Sequence, residues 1–333
     1  MPQRHGKYAL TPFRWSAASS IRRTRVAAAG RRWKGHAIVL LAGLFLLPTL
    51  AAAKVNVFAC EPEWASLTTA LGGDLVEAFS ATSAQEDAHH VTARPSLIAA
   101  MRKADLVVCT GAGLEVGWLP VLLQKSGKPQ VQSGGRGNVA AADVVPLLEV
   151  PDKVDRSMGD IHPEGNPHLH LDPANIARVA QVLAARLAVI DPVHAADYSA
   201  RGKDFLDRWN AASVKWKQEA ASLRGMAVVV NHKSFTYLLH WLGMTEAASL
   251  EPKPGIPPTT SHLAGLLSVV REGKVRAILR TPYDPEPPAA WLSEKSGVPV
   301  KVLPFTVGGN ADSQDLFSLY QSTLTLLAGV PAR

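Results

Sequence analysis

The sequence predicts an α/β protein of two lobes, each a parallel sheet flanked by helices, joined by one long rigid helix. Two observations carry this. Apolar runs rich in β-branched residues alternate with helical patterns in two separate blocks, which implies strand–helix–strand units and parallel pairing. Between the blocks, residues 172–223 carry an almost unbroken helical pattern.

In the first block, residues 55–59, 75–79 and 105–109 read as strands, with helices over 65–71 and 96–102 between them. Ser96, after Pro95, is the expected N-cap of the second helix. Residues 131–142, Gly-rich and polar at their start, read as a loop. In the central stretch Ile176, Val179, Val182, Leu183, Leu187 and Ile190 share one helical face. Asp191-Pro192 ends that helix, since proline cannot continue the hydrogen-bond ladder. A second helix over 194–223 would approach about 45 Å at about 1.5 Å per residue, long enough to serve as a strut between lobes. The second block repeats the first, with strands over 227–230, 275–279 and 298–303 and helices over 262–270 and 289–295.

The 333 residues carry a formal charge of +7, which invites a nucleic-acid reading. The distribution rejects it. Residues 1–53 hold nine Lys/Arg and no acid, leaving 26 basic against 28 acidic residues in the remainder. The leader has the three parts of a secretory signal: a basic region ending at Lys34, an apolar run over 37–50, and Ala51-Ala52-Ala53 as the cleavage site. That run is shorter than the roughly 20 residues a spanning helix needs, so an uncleaved anchor is the weaker reading. The Arg22-Arg23 and Arg31-Arg32 pairs leave twin-arginine export open, and no Cys stands at the cleavage point to take a lipid. The expected organisation is a signal peptide over 1–53, a first lobe over 54–192, a linking helix over 193–223 and a second lobe over 224–333. The only cysteines, Cys60 and Cys109, end two strand-like runs; one disulfide and two buried small hydrophobes are both open readings.

Three histidines carry the chemistry. His89, His168 and His232 each lie in a loop beside a predicted strand or helix end, too far apart for a local zinc-finger spacing. Binding sites in parallel sheets form at the carboxyl ends of strands, where such loops converge. A lone loop histidine is ordinarily a solvated side chain; the argument rests on the three together. Imidazole nitrogen favours zinc and related transition metals over hard, oxygen-preferring manganese.

The flanks of these histidines resemble a known family. Asp87-Ala88-His89 with Pro95-Ser96, Asn166-Pro167-His168 with Leu171-Asp172-Pro173-Ala174-Asn175, and Asn231-His232-Lys233-Ser234-Phe235 are similar, in order, to the ligand segments of zinc/manganese ABC transporter substrate-binding proteins of the ZnuA/TroA-like cluster. Asp191-Pro192 with Tyr198, and Ala104–Val107 with Gly111-Ala112-Gly113-Leu114-Glu115, match as well, so the resemblance covers essentially residues 54–330. It implies a periplasmic, non-enzymatic protein that takes Zn²⁺, with Mn²⁺ less favoured, from His89 and His168 of the first lobe and His232 of the second. It also implies an ABC permease and its ATPase as partners, with room for a metallochaperone, no nucleic acid, and a monomeric state.

Two departures stand out. The family's fourth ligand, an Asp after the last strand, is absent: the segment reads Leu303-Pro304-Phe305-Thr306-Val307-Gly308-Gly309. Glu61, just past the first strand, is the expected substitute, with Asp312 next and water as a further option. His170 stands where the family often has Trp, and with His90 and His162 it leaves spare imidazoles near the cleft. The competing readings are a secreted zinc hydrolase, since three ligands plus water describe a catalytic zinc, and a metal-binding adhesin of the same fold. No His-Glu-x-x-His segment supports the hydrolase.

Overall fold

The computed structural model describes residues 53–331 apart from 156–158 and 160. The predicted leader, Ala53 excepted, lies outside the described residues. Two four-stranded parallel sheets form the frame. The first contains β1 (Val55–Ala59), β2 (Val76–Ser80), β3 (Leu106–Cys109) and β4 (Asn138–Ala140) in the order β2-β1-β3-β4. The second contains β5 (Ala227–Val230), β6 (Thr245–Ser249), β7 (Ala277–Arg280) and β8 (Val300–Val302) in the order β6-β5-β7-β8. In each sheet the chain leaves its first strand toward one side and later returns to the other. The reversal opens a crevice at the carboxyl ends of β1 and β3, and of β5 and β7.

Each sheet has one strand more than the sequence analysis expects. Residues 131–142, read as a loop, include β4, whose three residues are too short to display an alternating pattern. β6 reads Thr-Glu-Ala-Ala-Ser, polar and poor in β-branched residues, and it forms an edge paired only to β5. Edge strands tolerate such sequences because one side of their backbone needs no partner strand.

The helices are α1 (Pro62–Gly72), α2 (Pro95–Lys103), α3 (Leu119–Ser126), α4 (Pro173–Ile190), α5 (Ala195–Glu219), α6 (Thr236–Leu242), α7 (Thr260–Glu272), α8 (Glu286–Ser296) and α9 (Leu316–Ala328). Arg94, not Ser96, is the N-cap of α2, because Pro95 takes the first helical position, where its missing N–H costs nothing. The predicted 194–223 helix is shorter. A 3₁₀ turn over Pro192–His194 precedes α5 and another over Ala220–Leu223 follows it. Asp191 organises the entry: its Oδ2 accepts from the Tyr198 hydroxyl at 2.9 Å and pairs with His194 Nδ1 at 2.7 Å.

The long helix is held by aromatic packing. Trp209 of α5 is fully buried and stacks on Phe205, with edge-on contacts from Trp216, Phe317 and Tyr320 at centroid separations of 5.0–5.2 Å. Its indole Nε1 donates to the Pro173 carbonyl at 2.8 Å. Trp209 thereby ties together the start of α4, the middle of α5 and α9 from the end of the chain. A disulfide joins Cys60 to Cys109, linking the ends of the neighbouring strands β1 and β3. Of the two open readings of these cysteines, the structure has the bonded one.

Truncating Trp209→Ala removes the ring around which these elements meet. Large-to-small aromatic changes in cores cost about 3–5 kcal/mol, and a loss of that size is expected in urea unfolding of the purified protein. A loss below about 1 kcal/mol would show that the aromatic cluster repacks around the gap.

Candidate metal centre

Each of the three histidines is set by a short local structure. His89 lies in a 3₁₀ turn, Ala88–His90, reached from β2. Asp87 caps that turn by accepting from the His89 backbone N–H at 3.0 Å. Trp118 Nε1 fixes it from above, donating to the Ala88 carbonyl at 2.9 Å. His168 is the residue before the 3₁₀ turn Leu169–Leu171, which leads into α4. Its backbone N–H donates to Asn166 Oδ1 at 2.9 Å, and Asn175 Nδ2 holds the Leu169 carbonyl at 3.0 Å. His232 follows β5 by one residue, Asn231, and precedes a 3₁₀ turn, Lys233–Phe235.

The fold brings these imidazoles together from three segments. One ring nitrogen of each lies within 4.8 Å of those of the other two. Ring centroids are 5.3 Å apart for His89 and His168, 5.7 Å for His89 and His232, and 5.4 Å for His168 and His232. Two of the rings are oriented by carboxylates. His89 Nδ1 meets Asp87 Oδ1 at 2.6 Å, and His232 Nδ1 meets Glu251 Oε2 at 2.7 Å. With the proton held on Nδ1, each Nε2 carries a lone pair turned away from its carboxylate, which is how carboxylate–histidine pairs prepare metal ligands.

His168 differs. It is buried, and neither ring nitrogen has a hydrogen-bond partner. A buried polar atom without a partner costs about 1–3 kcal/mol, so this ring suits a ligand that the protein itself does not supply. The donor set fits a borderline transition cation: nitrogen throughout, and no carboxylate oxygen in the group among the described residues.

Protonation follows from the surroundings. Burial pushes His168 well below the ordinary imidazole range, and the neighbouring His89, His232 and His162 add to the effect. Burial also acts downward on His232, but the hydrogen bond and charge of Glu251 outweigh it and the net shift is upward. Burial acts upward on Asp87, and the hydrogen bonds from His89 prevail, lowering it to about 2.

Glu61, the expected fourth ligand, is placed elsewhere. Its carboxylate accepts from Thr110 Oγ1 at 3.0 Å and faces Glu115, in a buried cluster where Glu115 in turn accepts from the Thr110 and Gly111 backbone. Burial, then repulsion from Glu115, raises Glu61 well above the usual carboxylate range; burial raises Glu115 to about 7. Asp312 lies in an exposed turn, its N–H bonded to Asn310 Oδ1. Where the family pattern called for a carboxylate, the Phe305 ring packs edge-on against His168 at 5.3 Å and His170 at 4.8 Å. Of the spare imidazoles, His162 reaches the centre, with Nε2 at 3.0 Å from His89 Nε2. His170 is turned away into a clasp between Glu63 Oε1, at 3.2 Å, and the Phe305 carbonyl, at 2.8 Å. His90 is exposed. The orienting carboxylate Glu251 stands 19 residues from His232, beyond the reach of a local motif.

This arrangement has known counterparts. Residues 57–329 match the family described as zinc-uptake complex component A, periplasmic. The chain belongs to that family. Its members here are zinc/manganese ABC transporter substrate-binding proteins, and the curated relatives include ScbA of Streptococcus cristatus, a metal ABC transporter substrate-binding lipoprotein. ScbA is 22% identical over 260 residues, covering 77% of this chain and 81% of the relative. PsaA of Streptococcus pneumoniae, a manganese ABC transporter substrate-binding lipoprotein, is 21% identical over 263 residues, covering 78% and 82%. Among solved structures, that of ZnuA superposes with a TM-score of 0.69 at 20% identity, covering 84% of this chain and all of the other. The laminin-binding adhesin Lmb of Streptococcus agalactiae does so at 0.67 and 20% identity, covering 82% and 98%. At these identities the superpositions establish the ZnuA-like fold of two sheets and a long intervening helix.

The depressed His168 has a consequence for this family member in its metal-free form. An unfolded imidazole takes up its proton near pH 6.5, whereas buried His168 does so only far lower. Below about pH 6.5 the unfolded chain therefore binds more protons, and stability falls as pH drops. Urea unfolding at about pH 7 and about pH 5.5 is expected to show wild type losing about 1 kcal/mol more than His168→Leu. Equal losses in the two proteins would rule out a depressed His168.

Proposed function

We propose that this protein captures Zn²⁺ between its two lobes at His89, His168 and His232 and delivers it to a cognate ABC permease driven by its ATPase. The observation that carries the proposal is the converging imidazole set, with His168 buried and unpartnered within it. His89 and His168 belong to segments around the first sheet and His232 to the second, so a bound ion would bridge the lobes.

Zinc is favoured over manganese by the donors. Manganese is hard and prefers oxygen, while an all-nitrogen set suits zinc. The Phe305 ring against His168 supports the same choice, because it supplies no oxygen where a manganese site would use one. Export to the periplasm is supported by the leader's basic, apolar and small-residue segments. Soluble release rather than lipid anchorage is supported by the cysteines, since both are joined to each other. The domain limits follow the same reading: a signal over 1–53, lobes over 54–192 and 224–333, and a linking helix over 193–223. We also propose a monomeric carrier, with a metallochaperone as a further donor of the ion.

Hydrolysis is disfavoured because a zinc hydrolase needs a base beside its metal-bound water. Glu61, the one acid considered for that role, is engaged with Thr110 and Glu115. An adhesin of the same fold would share this centre and differ in its partner; membership of an uptake family favours transport.

Calorimetry on the purified protein tests the site. His232→Ala is expected to lower zinc affinity at least about a hundredfold, the upper range for removing even a supporting group at a zinc site; unchanged binding would sink the proposed centre. In a zinc–manganese competition read by metal analysis, zinc is expected to remain bound under a tenfold excess of manganese, about 1.4 kcal/mol of preference. Manganese recovered in the larger amount would reject the zinc assignment.

A further inference from the structure

His162 comes to the centre from a segment whose base is tied to the opposite lobe. The Asn166 N–H donates to the Leu148 carbonyl at 2.8 Å. Leu148 N–H donates to the Tyr237 hydroxyl at 2.9 Å, and that hydroxyl donates to the Asn166 carbonyl at 2.8 Å. Asn166 Nδ2 also donates to the Lys233 carbonyl at 2.9 Å, one residue past His232. His162 is four residues from this anchor, and its carbonyl accepts from the Gly165 N–H at 3.1 Å. Gly159, at φ +83°, approaches the Pro254 carbonyl so closely that a Cβ would lie 2.3 Å from it. Pro254 sits in the loop of Glu251, the residue that orients His232.

Held this way, His162 faces the one side of His89 that is open to a ligand. Asp87 occupies His89 Nδ1, so the His89 Nε2 lone pair points at His162 Nε2, 3.0 Å away. His162 also lines, with His168 and His232, a cavity of about 210 Å³. In that contact one imidazole N–H donates to the other nitrogen. A cation taking the place of the shared proton would find two nitrogen donors already converging. Zinc–nitrogen bonds of about 2.0–2.1 Å in a tetrahedron put ligand nitrogens about 3.3–3.4 Å apart, a few tenths of an ångström from the His89–His162 separation. His162 stands outside the set whose nitrogens all lie within 4.8 Å of one another, so its ring moves inward for the shell to close.

We propose that His162 is the fourth metal ligand of this protein, completing an all-imidazole tetrahedral shell with His89, His168 and His232. The proposal rests on the three-histidine reading above and accounts for the Phe305 ring: with a fourth imidazole supplied by this segment, no carboxylate is needed after β8. It also makes the metal a bond between His162 and the rest of the centre, so the segment and both lobes are fastened by one ion.

X-ray absorption of the zinc-loaded protein, together with chelator competition for zinc, tests this. Wild type is expected to show four imidazoles on zinc and His162→Ala three, with zinc affinity at least about tenfold weaker and thermal unfolding of the metal-free form unchanged. Three imidazoles in wild type, or equal affinity in His162→Ala, would overturn the proposal. His232→Ala run in parallel separates the two readings. If it loses zinc while His162→Ala does not, only the fourth ligand fails; if neither loses zinc, the three-histidine centre fails with it. Should His162→Ala unfold, the wild-type imidazole count decides alone.

Discussion

Two carboxylate–imidazole pairs govern this molecule's centre: Asp87 with His89 and Glu251 with His232. Each fixes a proton on Nδ1 and so commits Nε2 as a donor, and each comes from the same lobe as its histidine. These two imidazoles are therefore oriented within their own lobes. His168 has no such partner, and both of its buried ring nitrogens are left without a hydrogen bond. The asymmetry is chemically sensible. A buried ring with neither nitrogen hydrogen-bonded gains most from an added partner.

The fold serves these pairs by topology. Parallel sheets whose strand order reverses leave crevices at their carboxyl ends, and β2 and β5 deliver His89 and His232 there. His168 enters from the start of α4, the helix that the Trp209 indole ties to α5 at Pro173. The same packed core that joins the lobes thus positions His168. Beside it, Glu63, His170, Phe305 and Thr306 form a second link between the lobes: His170 bridges Glu63 and the Phe305 carbonyl, and the Thr306 hydroxyl donates to Glu63. Phe305, in turn, walls His168 with hydrocarbon. Aromatic packing stands where the resemblance leads one to expect a carboxylate, which lowers the local polarity and favours neutral donors.

Much of this was legible in the chain. The alternation of strands and helices, the helical centre and the three histidines with their flanks all rest on local patterns, and the structure has the two sheets and the long helix they imply. What was illegible lay in short or polar elements. β4 has three residues, β6 is an edge of alanines between polar ends, and the first-position proline of α2 displaced the expected cap. Glu61 illustrates a different limit. Its place after β1 matched that of His232 after β5, yet its side chain turns into a buried pocket, where Oε2 accepts from Thr110, Oε1 is left without a hydrogen-bond partner and Glu115 lies alongside.

The sequence by itself determined the class of protein and which three imidazoles to suspect, because periodicity, prolines and flanking motifs act within a few residues. Tertiary structure alone decided how they are completed. The separations His89–His162 and His170–Phe305 span 73 and 135 residues and are bridged only when the chain is folded. Which carboxylate orients His232, which ring walls His168 and which imidazole faces His89 are consequences of packing. A side chain's partners are set by the shape of the space it enters, and no local pattern encodes that shape.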